Sequence, residues 1–126
     1  MRELEGLKLV VVDDEGDILD IMAFYLESKG AKVFVASSGT EAYEIAVKER
    51  PDFILTDIIM PGAGNDGLTL TRRLREHSPT APKIIVITGL SQETEAEALA
   101  AGADKVFAKP FKLPLVLKYI TETRIS

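Results

Sequence analysis

At 126 residues the chain is long enough for one domain with a core of its own, and without a cysteine it has neither disulfides nor thiolate metal sites. Its 20 acidic and 15 basic residues leave a net charge of −5, the wrong sign for gripping a phosphate backbone, which excludes nucleic acid as a direct ligand. The N-terminus, Met1-Arg2-Glu3-Leu4-Glu5-Gly6, is charged where a signal peptide is apolar, and no run approaches the ~20 residues of a membrane span, so a soluble cytoplasmic protein is expected.

Leu7 to Val12 turns fully apolar after Lys8, as a strand buried on both faces does, and stops at Asp13-Asp14-Glu15. From Asp17 the period lengthens. Ile18, Met22, Tyr25 and Leu26 share one face of a helix, and Gly30 is suited to end it. Val33-Phe34-Val35 reads as a second short strand closed only by Ala36-Ser37-Ser38-Gly39, before a helix with Ala42, Ile45 and Ala46 inward. Pro51 breaks that helix, and Phe53 to Asp57 forms a third strand whose last residue is a carboxylate, followed by Ile58-Ile59-Met60-Pro61. After a loop at Gly62–Asn65, Asp66 caps a third helix that turns Leu70 and Leu74 inward and leaves Arg72, Arg73 and Arg75 to water. His77, near its end, is a cation beside the helix dipole.

Pro79 and Pro82 bracket the turn into Lys83 to Ile87, an apolar strand closed by Thr88-Gly89. Ser91 is placed to cap the next helix, Gln92 to Ala101, which has Glu93 and Glu95 in its first turns and Leu99 as its one large anchor. With so little apolar surface, this helix is expected to be the least firmly held. Gly102 ends it, Lys105 to Ala108 is a fifth strand, and Lys109-Pro110-Phe111 leads into a last helix bearing Leu113, Leu117 and Ile120, with Pro114 in its first turn.

Five strands alternating with five helices predict an α/β fold: a single doubly wound, flavodoxin-like (βα)5 domain on a parallel five-stranded sheet. The second strand alone ends without a functional polar group, which puts it at an edge. The order 2-1-3-4-5 satisfies this and opens a crevice between the first and third strands.

Asp13, Asp14 and Asp57 would meet in that crevice. At about 4 Å each pair repels by about 4 kcal/mol at an effective dielectric near 20, a conflict that a divalent cation removes. Oxygen ligands without His or Cys favour a hard ion, Mg2+ with Mn2+ as its substitute. Helix capping alone would need one acceptor, not three acids. Thr88 and Lys109, at the ends of neighbouring strands, are suitable donors to a phosphoryl group on Asp57, since carboxylates can act as nucleophiles at phosphorus.

As a set, Asp13-Asp14, Asp57 with Met60-Pro61 after it, Thr88 and Lys109-Pro110-Phe111 resemble the receiver domain of two-component response regulators, over residues 7 to about 122. The resemblance implies that residues 1–126 are one receiver domain and that Asp57 accepts phosphate from a sensor histidine kinase or a His-phosphotransfer protein. It implies Mg2+ held by Asp14, Asp57 and the backbone carbonyl of Ile59, with Asp13 acting through water. It further implies a cis peptide at Lys109-Pro110, coupled movement of Thr88 and the fifth-strand aromatic Phe107, and an output face of fourth helix, fifth strand and fifth helix through which receivers also dimerise. Such a domain catalyses its own phosphorylation and slow dephosphorylation without being a conventional enzyme. It signals to a downstream effector protein or to an output domain beyond Ser126.

The chain departs from the family in one place. Four residues, Gly62 to Asn65, stand where the family commonly has two, which implies a longer loop beside the metal site. Two other readings compete. An aspartyl-nucleophile phosphohydrolase shares the metal and the intermediate, but wants a second acid where Ile59 stands; a phosphorylation-independent binding scaffold would not need the intact set. The residues two after Asp57 and two after Thr88, Ile59 and Leu90, are apolar and position no hydrolytic water, which predicts a long-lived phosphoryl group.

Overall fold

Side chains alternate across a strand, and in β1 (Lys8–Val12), β3 (Phe53–Asp57) and β4 (Lys83–Thr88) both sets are apolar, so the sheet must be covered on both faces. The structure, a computed structural model, describes residues 2–60, 66–89 and 92–125, the side chains of Gln92, Glu93 and Ile125 excepted. The remaining elements are β2 (Lys32–Ala36), β5 (Lys105–Ala108), α1 (Gly16–Ser28), α2 (Gly39–Glu49), α3 (Gly67–His77), α4 (Gln92–Ala101) and α5 (Leu113–Ile125). All strand pairs are parallel and the order is β2-β1-β3-β4-β5, as predicted. The predicted Ser91 cap, the Gly62–Asn65 loop, Pro61 and Leu90 lie outside the described residues.

On one face Leu9, Val11, Phe53, Leu55, Ile85 and Ile87 pack against Leu19, Met22 and Leu26 of α1 and Val116 and Ile120 of α5. On the other, Val10, Val12, Ile54, Ile84 and Val86 meet Ala42 and Ala46 of α2, Leu70 and Leu74 of α3 and Ala98 of α4. The predicted helix stripes are displaced in places. In α1 the buried residues are Leu19, Met22, Ala23 and Leu26, whereas Ile18 and Tyr25 are only half-buried, because the helix is wedged between sheet and α5 and its stripe is centred one position further on. The anchor of α4 is not Leu99, which is 47% exposed, but the fully buried Ala98: the contact is made by a methyl group.

Arg75 is also misplaced by the sequence reading. Its side chain does not face water but crosses to the turn after α4, donating from Nε to the Gly102 carbonyl (2.9 Å) and from Nη2 to Asp104 Oδ2 (2.7 Å). A fork-shaped guanidinium finds both acceptors there, and its stem covers the glycine.

Helix ends follow the expected chemistry. Gly30 (φ +104°) follows α1 and Gly102 (φ +118°) follows α4 in the left-handed region, and Asp66 Oδ1 accepts from Thr69 N (2.8 Å) to cap α3. Ser38 caps α2, its Oγ accepting from Glu41 N at 3.2 Å while Glu41 Oε1 accepts from Ser37 N at 2.7 Å. Gly67 is needed for space. Its N–H donates to the Ile58 carbonyl at 2.9 Å, and a Cβ there would run into the Asp57 carbonyl oxygen, with the Ile58 Cα only 3.0 Å away.

Gly67→Ala is therefore expected to destabilise the protein by about 1–3 kcal/mol through overpacking. Gly16→Ala, where nothing lies within 4 Å, is expected to change stability by no more than about 0.5 kcal/mol. Urea denaturation of the two variants checks the difference.

Candidate functional site

The register of the sheet decides which side chains meet. Val12 of β1 pairs with Thr56 of β3, so the next residues, Asp13 and Asp57, leave the strands side by side. Asp57 in turn pairs with Ile87, and the ladder to β5 is carried one residue past its end by the Lys109 N–H, which donates to the Thr88 carbonyl at 2.7 Å. The carboxyl ends of β1, β3, β4 and β5 thus converge, while β2 lies outside them.

Carboxylate oxygens of Asp13, Asp14 and Asp57 all lie within 4.8 Å of one another. Asp13 and Asp57 are nearly enclosed, 4% and 9% exposed, whereas Asp14 faces solvent. Lys109 Nζ donates to Asp57 Oδ2 at 2.9 Å, and the other oxygen, Oδ1, accepts a longer bond from Ile59 N at 3.4 Å. Asp13 Oδ1 accepts from Glu15 N at 2.9 Å. Glu15 occupies the N-cap position of α1 and no side chain caps that helix, so the acids are not there to cap it.

Burial holds the Asp13 carboxyl above the usual carboxylate range. The Glu15 N–H works against this, as does the Lys109 charge, while the charges of Asp57 and Asp14 add to it. Lys109 is raised above the ordinary lysine range, first by its hydrogen bond to Asp57; burial opposes, and the charges of Asp57, Asp13 and Glu15 reinforce it. Three carboxylates against one ammonium leave two negative charges uncompensated. The donor set therefore fits a hard divalent cation: clustered oxygens, two of the three groups buried, and none of the groups His or Cys.

Thr88 is buried at 1% exposure at the end of β4, and the Lys109-Pro110 peptide is cis, as is Ala81-Pro82, which the sequence did not signal. Ile59 is 57% exposed beside the acids. Thr88 and Phe107, which the resemblance implies move together, stand on opposite faces of the sheet by strand parity. Thr88 follows Ile84 and Val86 onto the α2–α3–α4 face, while Phe107 packs into the α1–α5 layer. Phe107 meets Tyr119 edge-on, ring centroids 6.3 Å apart, and the residues β5 turns to the Thr88 face are Val106 and Ala108. Sequence reasoning took the aromatic and missed the parity.

Two residues it did not single out also shape the site: Gly67, which lets α3 start against the Asp57 backbone, and Glu15, whose charge acts on Lys109. A cavity of about 500 Å3 opens beside Asp13 and Lys109, walled by Ile18, Met22, Ile87 and Phe111. One of about 520 Å3 lies at the opposite end of the sheet, away from the acids, among Arg50, Leu74, His77 and Pro82.

A sequence model of the response regulator receiver domain matches residues 9–121. Among curated proteins, the transcriptional regulatory protein SrrA of Staphylococcus aureus is 37% identical over 105 residues, covering 82% of this chain and 42% of that protein. Among solved structures, the receiver domain of the Francisella response regulator 1452 superposes with a TM-score of 0.84 at 28% identity, covering 96% of this chain and 100% of that one. The chemotaxis protein CheY4 of Vibrio cholerae superposes with a TM-score of 0.83 at 30% identity, covering 92% of this chain and 97% of that one. The match runs through almost the whole sheet and every strand end that forms the acidic crevice, and the chain belongs to the response regulator receiver domains of two-component signalling.

Proposed function

We propose that Asp57 is the phosphoacceptor, and that a sensor histidine kinase or His-phosphotransfer protein is the donor. The observation that carries this is the 2.9 Å bond from Lys109 to Asp57 beside two further acids in one 4.8 Å cluster. An Asp57 carboxylate oxygen attacks phosphorus, the P–N bond of the phosphohistidine breaks, and the imidazole leaves with the electron pair. Lys109 orients Asp57 beforehand and, with the Thr88 hydroxyl, receives the oxygens of the transferred group. Asp13, Asp14, Asp57 and the Ile59 carbonyl would hold Mg2+, which when bound offsets charge on acids and phosphoryl group alike. The relatives of SrrA type are longer, this chain spanning 42% of their length. In our reading residues 1–126 are one cytoplasmic receiver domain, acting on an output domain or a downstream effector through α4, β5 and α5, the face through which it would also dimerise.

Incubation with Mg2+ and a small acyl phosphate or a phosphorylated kinase is expected to add one phosphoryl group per chain. Asp57→Asn, or a chelator, is expected to abolish it in intact-mass spectra; undiminished labelling of either would overturn the assignment.

The acids also make stability depend on pH and metal. A carboxyl raised in the folded state binds protons better there, so the Asp13 contribution is lost as pH rises through the ordinary aspartate range to its folded value. At pH 7 without metal, Asp13→Asn is expected to stabilise by on the order of 1 kcal/mol. Mg2+ at 100 times its dissociation constant is expected to add about 2.7 kcal/mol to the parent. Lys109 has the same sign at a higher pH: its contribution is fully present below the ordinary lysine range and is lost as pH rises through its raised folded value. Thermal melts over pH, with and without Mg2+, check these directions.

Ile59 exposes an apolar side chain where a polar one could hold an attacking water. The aspartyl phosphate is expected to be long-lived. Ile59→Asn with Leu90→Glu is expected to speed its decay about tenfold, roughly 1.4 kcal/mol of barrier, in a timed assay with Mg2+.

A further inference from the structure

The cavity of about 520 Å3 at the amino-terminal end of the sheet has no residue in common with the acidic crevice. It lies between the last turns of α2 and α3, over the residues that lead into β3 and β4. Ala46 and Val47 of α2, Leu74 of α3, and the rings of Pro51 and Pro82 form its apolar wall. Its charges are of the opposite sign to those of the chain as a whole: Arg50, Lys83 and His77 stand around it with one acid, Asp52, in a protein of net charge −5. That acid is already engaged, its Oδ2 accepting from Lys8 N at 2.9 Å. The Lys83 ammonium makes a long ion pair to Asp104 at 3.9 Å, and the His77 ring rests edge-on against Tyr43, centroids 6.2 Å apart. Neither the Arg50 guanidinium nor the His77 ring nitrogens have a hydrogen-bond partner among the described residues.

The backbone of Arg50 sets it apart. It is the C-cap residue of α2, at φ 50° and ψ 62° in the left-handed region, and the other described residues with positive φ are all glycines: Gly6, Gly30 and Gly102. A cation here suits the dipole of α2, but Lys48 in the last turn already supplies one from helical backbone. What an arginine offers at this cap, and a glycine does not, is a guanidinium beside the cavity.

We propose that this cavity is a second ligand site, which takes a small organic carboxylate. The apolar body lies against Val47, Leu74 and the two prolines, and the carboxylate meets Arg50, whose planar fork matches it, with Lys83 and His77 alongside. Arg50 and Lys83 against Asp52 leave one positive charge with His77 neutral, which suits a monoanion. The volume is that of a metabolite pocket, and a few polar groups on an apolar wall are what orients such a ligand. The inference is independent of Asp57 being the phosphoacceptor.

Amide NMR of the full chain tests it, with sodium cinnamate as the probe, cinnamyl alcohol as its neutral counterpart and inorganic phosphate as an anion without an apolar body. Cinnamate is expected to shift the amides of residues 46–52 and 77–83 saturably, with a dissociation constant of about 1 mM or below. The alcohol and phosphate are expected to bind at least about tenfold more weakly. Arg50→Gly removes the guanidinium and installs the residue that the backbone favours, so it is expected to melt no lower than the parent and to weaken cinnamate at least about fivefold. Arg50→Lys, with charge but no fork, is expected to fall between the two. Equal binding of the alcohol reduces the cavity to an apolar void and equal binding of phosphate reduces it to a patch of charge; either overturns the proposal. So do shifts centred elsewhere, no saturable shift well above about 1 mM, or cinnamate binding that Arg50→Gly leaves unchanged.

Discussion

Three carboxylates within 4.8 Å of one another, two of them nearly sealed from water, are a cost that the rest of the structure must carry. Like charges at that separation repel, and burial weakens the solvent screening that would relieve them. One lysine offsets part of the charge from β5, and one backbone N–H, that of Glu15, supports Asp13. What keeps the acids together is elsewhere: fully apolar strands packed on both faces, in a register that permits no slip without turning each side chain to the other face. The hydrophobic layers hold the strand ends in place, and the strand ends hold the charges.

This division of labour explains what was legible beforehand. Strand order and the acid cluster could be read because the chain writes them locally, each apolar run stopping at a polar residue, with the second run stopping at none that belongs to the site. Helix C-termini at Gly30 and Gly102 and the Asp66 cap were legible for the same reason. What depended on orientation across elements was not. Leu99 is the largest apolar residue of α4, yet the contact falls one position earlier, where the small Ala98 sits. Arg75 is followed by no local signal that its acceptors lie 27 and 29 residues further along. Phe107 is aromatic, and neighbouring residues on a strand point apart, so a reading off by one position reverses its face.

Gly67 shows how closely the helical layer approaches the chemistry. Its own backbone conformation is unremarkable; the requirement comes from the Asp57 carbonyl, against which α3 begins without room for a methyl group. The same peptide stretch carries Asp57, Ile58 and Ile59, so the seat of α3 and the acidic crevice are two sides of one short segment. A change in either is transmitted to the other by contact.

The parity of β5 has a mechanical consequence of its own. One side of this edge strand carries Phe107, locked edge-on to Tyr119, with the Lys105 ammonium 5.4 Å and 5.9 Å from the two ring centroids; the other side carries Val106 and Ala108. Aromatic packing with a cation above it resists shear, whereas small aliphatic side chains tolerate it. The strand is thereby held by edge-on rings on its α5 side and by small aliphatic side chains on its α4 side. The two sides of this edge strand therefore differ in chemistry, aromatic and cationic toward α5 and small and aliphatic toward α4.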